Sequence, residues 1–317
     1  EKTGQVLVHF NRPQGPQLRS SVLHGDDRAQ TVLTRQNVAA HIQGEAFSND
    51  HVDLLRPAGW RTQAVGKGSF GIVYKATWKS RDVAVKELEL PQEPHNATEK
   101  GKLLFRQNIR KIKDNFIKEV ELSAKHCNHP NLVQLFGWAD EPNFYLVMDF
   151  CHGQSVFNQL YVEGWQPPAG DVCRTAYGVA LGMEHLHTAF DAPIVHRDLK
   201  SANLLLTADP AEHNDAVVKI ADFGLTREAH IDSTTGTSTV GAGTVLWMAP
   251  ELFHRDSKYD EKVDVFSYAM CLIELVSHER PWQGSGVRQE AIPVQLLEGE
   301  RPERQLERAD ECMRRLI

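Results

Sequence analysis

The sequence predicts an α+β fold, strand-rich in its first half and helical in its second, on three observations. Short apolar or alternating runs at residues 65–74, 82–88, 132–137 and 144–148 have the period of β-strands. Within that half, Phe105, Ile109, Ile112 and Phe116 fall on one helical face with basic residues around them. Past residue 150 the helical period takes over. Cys173, Ala176, Tyr177, Ala180, Met183 and Leu186 line one side of a helix that Asp171 can cap and that runs to about His187. A further apolar helix follows Asp264.

The chain has 317 residues, enough for two domains or for two lobes and a tail. Hydrophobic content of 41% and charged content of 24% are ordinary for a globular protein. A formal charge of -7 argues against a nucleic-acid binder driven by bulk positive charge, so no nucleic-acid partner is expected. No apolar run approaches the roughly 20 residues that span a bilayer. The opening residues, Glu1-Lys2-Thr3-Gly4, lack both a signal pattern and an initiator Met, so the chain reads as a piece of something longer. Cys127, Cys151, Cys173, Cys271 and Cys312 are dispersed without metal-finger spacing, which fits reduced thiols in the cytoplasm.

Taken in order, residues 1–59 carry few apolar side chains and scattered Gly, Pro and Asn, and read as an extension or linker without assigned function. The run Val65-Gly66-Lys67-Gly68-Ser69-Phe70-Gly71-Ile72-Val73 then places three glycines where backbone N–H groups can approach phosphate oxygens. Apolar flanks and the lack of a following helix favour a strand–loop–strand flap over a dinucleotide fold. The strand Asp82-Val83-Ala84-Val85-Lys86 alternates so that Lys86 projects from one face. A basic stretch over residues 100–113 reads as a helix extension with a solvated face, or as a docking surface for an acidic partner or lipid head group. A helix over residues 115–122 follows and carries Glu119 and Glu121. Two strands then lead to Met148-Asp149-Phe150-Cys151.

The chemistry concentrates in His196-Arg197-Asp198-Leu199-Lys200-Ser201-Ala202-Asn203 and, after a short strand at residues 217–220, in Asp222-Phe223-Gly224. A carboxylate and an amide at neighbouring strand ends suit a hard, oxygen-loving divalent ion that also holds phosphates. With the glycine run, Lys86, Glu119 and Ala249-Pro250-Glu251 in the same order, these segments resemble the eukaryotic protein kinases from about Trp60 to the end. Trp247-Met248-Ala249-Pro250-Glu251 and the run from Lys258 to Tyr268 resemble the tyrosine-kinase-like group of Ser/Thr kinases.

The resemblance implies a bilobal fold: a β-rich N-lobe with one regulatory helix over residues 60–149, and a mostly helical C-lobe over residues 150–317. It also implies that the C-lobe is incomplete at its C-terminus, with the arginine that pairs Glu251 beyond Ile317. ATP and Mg²⁺ are the implied ligands. Val65, Gly66, Gly68, Gly71, Val73, Ala84, Lys86, Met148, Asp149, Cys151 and Leu205 would bind the nucleotide, and Asn203 and Asp222 the metal. Asp198 would orient the acceptor hydroxyl, Lys200 would neutralise the γ-phosphate, and Lys86 would pair Glu119, with Glu121 as the alternative. Asp264 would bond the backbone of the catalytic loop, a role compatible with capping its own helix. Arg197 would receive a phosphate from the Ser/Thr-rich residues 226–239, placed there by an upstream kinase or by autophosphorylation. The expected activity is transfer of the γ-phosphate of ATP to protein hydroxyls in signal transduction. The alternatives are a pseudokinase scaffold that binds nucleotide without efficient turnover and, more weakly, a small-molecule phosphotransferase on the same fold.

Overall fold

A computed structural model describes residues 9–10, 64–68, 71–78, 80–88, 90–91, 98–139, 144–223, 227–228, 244–253, 259–302, 305 and 307. The chain divides into two compact units, Glu1–Cys127 with Gln134–Asp149, and Asn128–Val133 with Phe150–Ile317.

The first unit is built on a six-stranded sheet. Its strands are β1 (His9–Phe10), β2 (Ala64–Gly68), β3 (Gly71–Trp78), β4 (Arg81–Glu87), β5 (Leu135–Ala139) and β6 (Tyr145–Asp149), in the order β1-β5-β6-β4-β3-β2. Every neighbouring pair is antiparallel. Strand β4 alternates as its sequence demands. Val83 and Val85 pack with Ala76, Phe136, Tyr145 and Val147 in one buried layer, so Ala84 and Lys86 point to the opposite face. On β3, Gly71 has a φ of +145°, and a Cβ there would lie 2.1 Å from the Glu87 carbonyl oxygen, so only glycine fits.

Helix α1 (Glu99–His126) is one continuous element of 28 residues, joining the basic stretch to the segment that carries Glu119. Thr98 caps it by accepting from the Gly101 N–H at 3.2 Å. Beyond Gly101 no glycine or proline interrupts it. Its second half packs Phe116 and Val120 against Leu135, Trp138, Phe144 and Leu146, whereas Leu103 and Leu104 in the first half stay exposed.

In the second unit, α2 (Val156–Tyr161), α3 (Ala169–Thr188), α4 (Lys262–Ser277) and α5 (Ile292–Leu297) are joined by two small antiparallel sheets. One pairs β7 (Ile194–Val195) with β10 (Arg227–Glu228), and the other pairs β8 (Leu204–Leu206) with β9 (Val218–Ile220). Leu132 bridges to Ile220, and the Val133 N–H donates to the Ile220 carbonyl at 2.9 Å. The strand expected from residue 132 therefore begins only at Leu135, because residues 132 and 133 belong to this second framework.

Helix α3 differs from expectation in two ways. Pro168 stands at its N-cap, and Asp171 lies inside the first turn, where it pairs with Arg174 and complements the helix dipole. The buried face is also rotated. Of the expected side Ala176, Met183 and Leu186 are buried, but Cys173 and Tyr177 are exposed, and Val172, Thr175 and Val179 are buried as well. Gly178 and Gly182 set that rotation, since a Cβ at either would meet Val218, Asn131 or Ile220 within 3 Å. Cys127, Cys151, Cys173 and Cys271 are free thiols. Glu251, expected to lack its arginine, has a partner within the chain. Among the described residues, no helix is long and apolar enough to cross a membrane.

Candidate active site

In the first unit the cross-strand register aligns Val73, Lys86 and Leu146, and places Ala84 beside Met148. Directly opposed residues share a sheet face, so Val73, Ala84, Lys86 and Met148 present one surface. Helix α1 packs on that same face through Leu146 and Met148. This brings the Lys86 Nζ to 2.7 Å from Glu119 Oε1, with both side chains nearly buried at 13% and 10% exposure. The residue pairing with Lys86 is thus Glu119, while Glu121 is half-exposed. Val65 is exposed, and around Gly66 an added Cβ would meet nothing within 4 Å. Asp149 ends β6 with its carboxylate bonded to Arg81 at 2.6 Å and to the Gln134 N–H at 3.1 Å. Ser69 and Phe70 lie outside the described residues, as do the side chains of Lys67 and the surroundings of Gly68.

The second unit assembles the catalytic loop. Asp264, buried in the first turn of α4, accepts the backbone N–H groups of His196 and Arg197 at 2.8 Å each, and its Oδ2 is 2.9 Å from His187 Nε2. It therefore suspends the loop rather than capping its own helix. His196 is fully buried. Its Nδ1 accepts from the Asp198 N–H at 3.3 Å, which leaves Nε2–H to donate to the Ala221 carbonyl at 3.1 Å. The Phe223 ring meets the His196 ring edge to face.

Asp198 is 5% exposed. Its Oδ2 accepts from Lys200 Nζ at 2.7 Å and from Asn203 Nδ2 at 3.1 Å. Among the described residues its Oδ1 has no hydrogen-bond partner. Lys200 also donates to Thr244 Oγ1 at 3.2 Å. The β8–β9 register pairs Leu204 with Ile220, and the Ala221 N–H donates to the Asn203 carbonyl at 2.9 Å. Asn203 and Asp222 therefore stand at adjacent strand ends. Arg197 and Asp222 both hold φ of 68°, a left-handed conformation that costs non-glycine residues about 1–3 kcal/mol and clusters at functional sites. The Arg197 guanidinium stacks on the Tyr259 ring at 5.2 Å. Of the nucleotide candidates in this unit, Leu205 is half-buried on β8 between fully buried Leu204 and Leu206, and Cys151 is buried.

Residues 61–312 match the protein kinase domain family. The chain belongs to that family. It is 33% identical to the serine/threonine-protein kinase CTR1 of Arabidopsis thaliana over 270 residues, 84% of this chain and 29% of the relative. Mitogen-activated protein kinase kinase kinase 10 of Mus musculus is 37% identical over 224 residues, 70% of this chain and 22% of the relative. Mitogen-activated protein kinase kinase kinase 7 of Homo sapiens is 33% identical over 244 residues, 76% and 35% respectively. The chain thus spans about a third or less of the curated relatives it matches. These relatives are members of the tyrosine-kinase-like group, as the sequence motifs imply.

Within the kinase domain, three supporting residues escaped sequence reasoning. Asn131 clamps the β9 strand, donating to the Val218 carbonyl at 2.9 Å and accepting the Ile220 N–H at 2.8 Å. His187 contacts Asp264 from α3. Glu274 is fully buried in α4. It alone had a sequence signal, a carboxylate inside the apolar run Met270-Cys271-Leu272-Ile273-Glu274-Leu275. The Ser/Thr-rich residues from Thr226 to Thr239 fall outside the described residues, apart from the backbone of β10.

Proposed function

We propose that the chain is the catalytic domain of an ATP-dependent protein Ser/Thr kinase, acting in the cytoplasm on protein hydroxyls. The observation that carries this is the state of Asp198. One carboxylate oxygen is held by Lys200 and Asn203, while the other is buried and, among the described residues, unpartnered. A buried unpaired carboxylate oxygen costs about 1–3 kcal/mol and calls for an explanation. An incoming Ser or Thr hydroxyl supplies one: Oδ1 accepts its hydrogen bond, orients its oxygen toward the γ-phosphate and takes up its proton.

Lys200, fixed between Asp198 and Thr244, places a positive charge beside the transferring phosphoryl group. Lys86, oriented by Glu119, holds the α- and β-phosphates. In the first unit Val65, Val73, Ala84 and Met148 would offer apolar contacts to the base and the Asp149 backbone would read its edge; Leu205 and Cys151 are the second unit's own candidates for nucleotide contact. The open space at Gly66 leaves room for the β2–β3 backbone to close over phosphate oxygens, with Gly68 and Gly71 completing the turn.

The donor set at Asn203 and Asp222 fits Mg²⁺. It offers hard oxygens, and among the described residues no cluster of three or more His, Cys, Asp or Glu forms a dedicated metal cage. Held there, Mg²⁺ would supply positive charge that offsets the charge of the phosphates. Asn203 commits its Nδ2 to Asp198, so its amide oxygen is the ligand atom. Phosphorylation within residues 226–239, by an upstream kinase or in autophosphorylation, would supply a phosphate for Arg197 to receive.

The test is phosphotransfer from labelled ATP to a generic protein substrate. Lys86→Met and Asp198→Asn are expected to lower turnover by about 10²–10⁴-fold while the protein stays folded. Equal incorporation by all three proteins overturns the assignment. Nucleotide binding without turnover in the wild type would identify a scaffold instead.

A further inference from the structure

Helix α4 carries three polar side chains along one face: Asp264, Ser267 and Glu274. The first suspends His196 and Arg197. The second donates its hydroxyl to the Trp247 carbonyl at 2.8 Å. Glu274 is not used by the mechanism above, yet it is 0% exposed and accepts three hydrogen bonds. Ser201 Oγ donates to Oε1 at 2.7 Å, Tyr161 Oη to the same oxygen at 3.0 Å, and the Trp247 indole N–H to Oε2 at 2.6 Å.

Two of these donors sit next to the catalytic apparatus. Ser201 follows Lys200 directly and lies two residues before Asn203. Trp247 ends the single 3₁₀ turn Thr244–Trp247, whose first residue accepts the Lys200 bond. We propose that Glu274 is a positioning residue, whose carboxylate ties the catalytic loop to the Thr244–Trp247 turn and so sets the Lys200–Thr244 and Asn203–Asp198 contacts. The inference rests on the kinase reading above and adds to it the group that holds its two loops in register.

The chemistry explains why a carboxylate is needed there. An indole N–H can only donate, so Oε2 must accept. A carboxylate offers acceptor sites to all three donors at once, and hydrogen bonds to a charged acceptor are roughly twice as strong as neutral ones. A carboxamide accepts at one oxygen only, and its NH₂ would face either the indole N–H or the two hydroxyls.

The groups facing Glu274 are Tyr161 from α2, Ser201 from the catalytic loop, Trp247 from its turn, Cys271 from α4 and Arg280 beyond α4. Arg280 stacks on the Phe157 and Tyr161 rings at 4.9 and 5.4 Å. Burial pushes the Glu274 carboxyl up to about 7, against the hydrogen bonds from Ser201, Trp247 and Tyr161 that pull it down. Protonation places a donor where the three incoming hydrogen bonds need an acceptor. The clamp therefore loosens as pH falls through about 7.

The experiment compares wild type with Glu274→Gln and Trp247→Phe, the latter removing the N–H donor while keeping an aromatic ring. Each variant is expected to lower kcat about tenfold, with KM for ATP within about twofold and, for Glu274→Gln, a thermal midpoint of unfolding no lower than that of wild type. The acid limb of the wild-type kcat profile near pH 7 is expected to vanish in Glu274→Gln. Independently of activity, the Trp247 indole resonance in ¹⁵N-Trp-labelled protein should titrate near pH 7 in wild type and not in Glu274→Gln. An unchanged kcat in a folded variant, or an indole resonance indifferent to Glu274→Gln, overturns the clamp. Parallel loss of stability and of ATP affinity overturns it too, by reducing Glu274 to a packing role. A wild type without phosphotransfer overturns the kinase reading instead, and the clamp is then decided by the resonance.

Discussion

Lys86 and Glu119 in the first unit meet because regular secondary structure delivers them: strand alternation points Lys86 to the face on which α1 packs Phe116 and Val120. In the second unit Asp198 and Asn203 lie in a loop between two-residue and three-residue strands. What holds that loop is a set of buried side chains that bond its backbone, above all Asp264. A ladder spreads its free energy over many equivalent bonds, so losing one contact is absorbed locally. A loop hung from two or three charged acceptors concentrates it, because each acceptor removed leaves several buried donors unmet. Substitutions of similar size should therefore act very differently in the two units.

The largest expected effect comes from Asp264→Ala, which strands the buried His196 amide, the Arg197 amide and the His187 ring. A stability loss of about 4 kcal/mol is expected in urea unfolding, together with loss of phosphotransfer. A loss below about 1 kcal/mol would break the contrast between the units.

Next in size is the pH response of Glu274. Burial raises its folded carboxyl to about 7 from 4.5 for an unperturbed glutamate, so between those values the native state keeps a proton that the unfolded chain has released. Stability is then highest below about pH 4.5 and falls as pH rises through about 7, by up to about 3 kcal/mol relative to Glu274→Gln. Denaturant titrations of both proteins between pH 4.5 and 8 measure the difference, and a constant gap would remove the effect. Activity runs the opposite way, since the clamp needs the carboxylate. This opposition separates a functional placement from one chosen for stability.

The smallest effect sharpens the picture of the first unit. Gly71→Ala drives a Cβ into the Glu87 carbonyl from a φ of +145° and should cost about 2 kcal/mol. Gly66→Ala meets only open space, so stability should change by less than about 1 kcal/mol while KM for ATP rises several-fold. If both glycines behaved alike in unfolding and in KM, their roles would not be distinct.

The residues alone determined the chemistry and the order of its parts. Asp198, Lys200, Asn203 and Asp222, the residues proposed to carry phosphoryl transfer, were legible because they fall within short, contiguous runs that resemble the family's motifs. The alternation that makes β4 a strand was legible for the same local reason. Long-range packing decided the rest. Nothing local shows that Asp171 falls inside its helix or that Gly178 and Gly182 turn α3 toward Asn131 and Val218, because those outcomes depend on the surface the helix meets. Likewise residues 132 and 133 leave the expected strand because Ile220, 87 positions later than Val133, offers them backbone partners. Glu274 shows the division most clearly. Its place in an apolar run marks it as costly, but Ser201, 73 residues away in sequence, and Trp247, 27 residues away, become its partners only when the chain folds. A buried charge takes its role from the donors gathered around it, and those are a property of the tertiary structure.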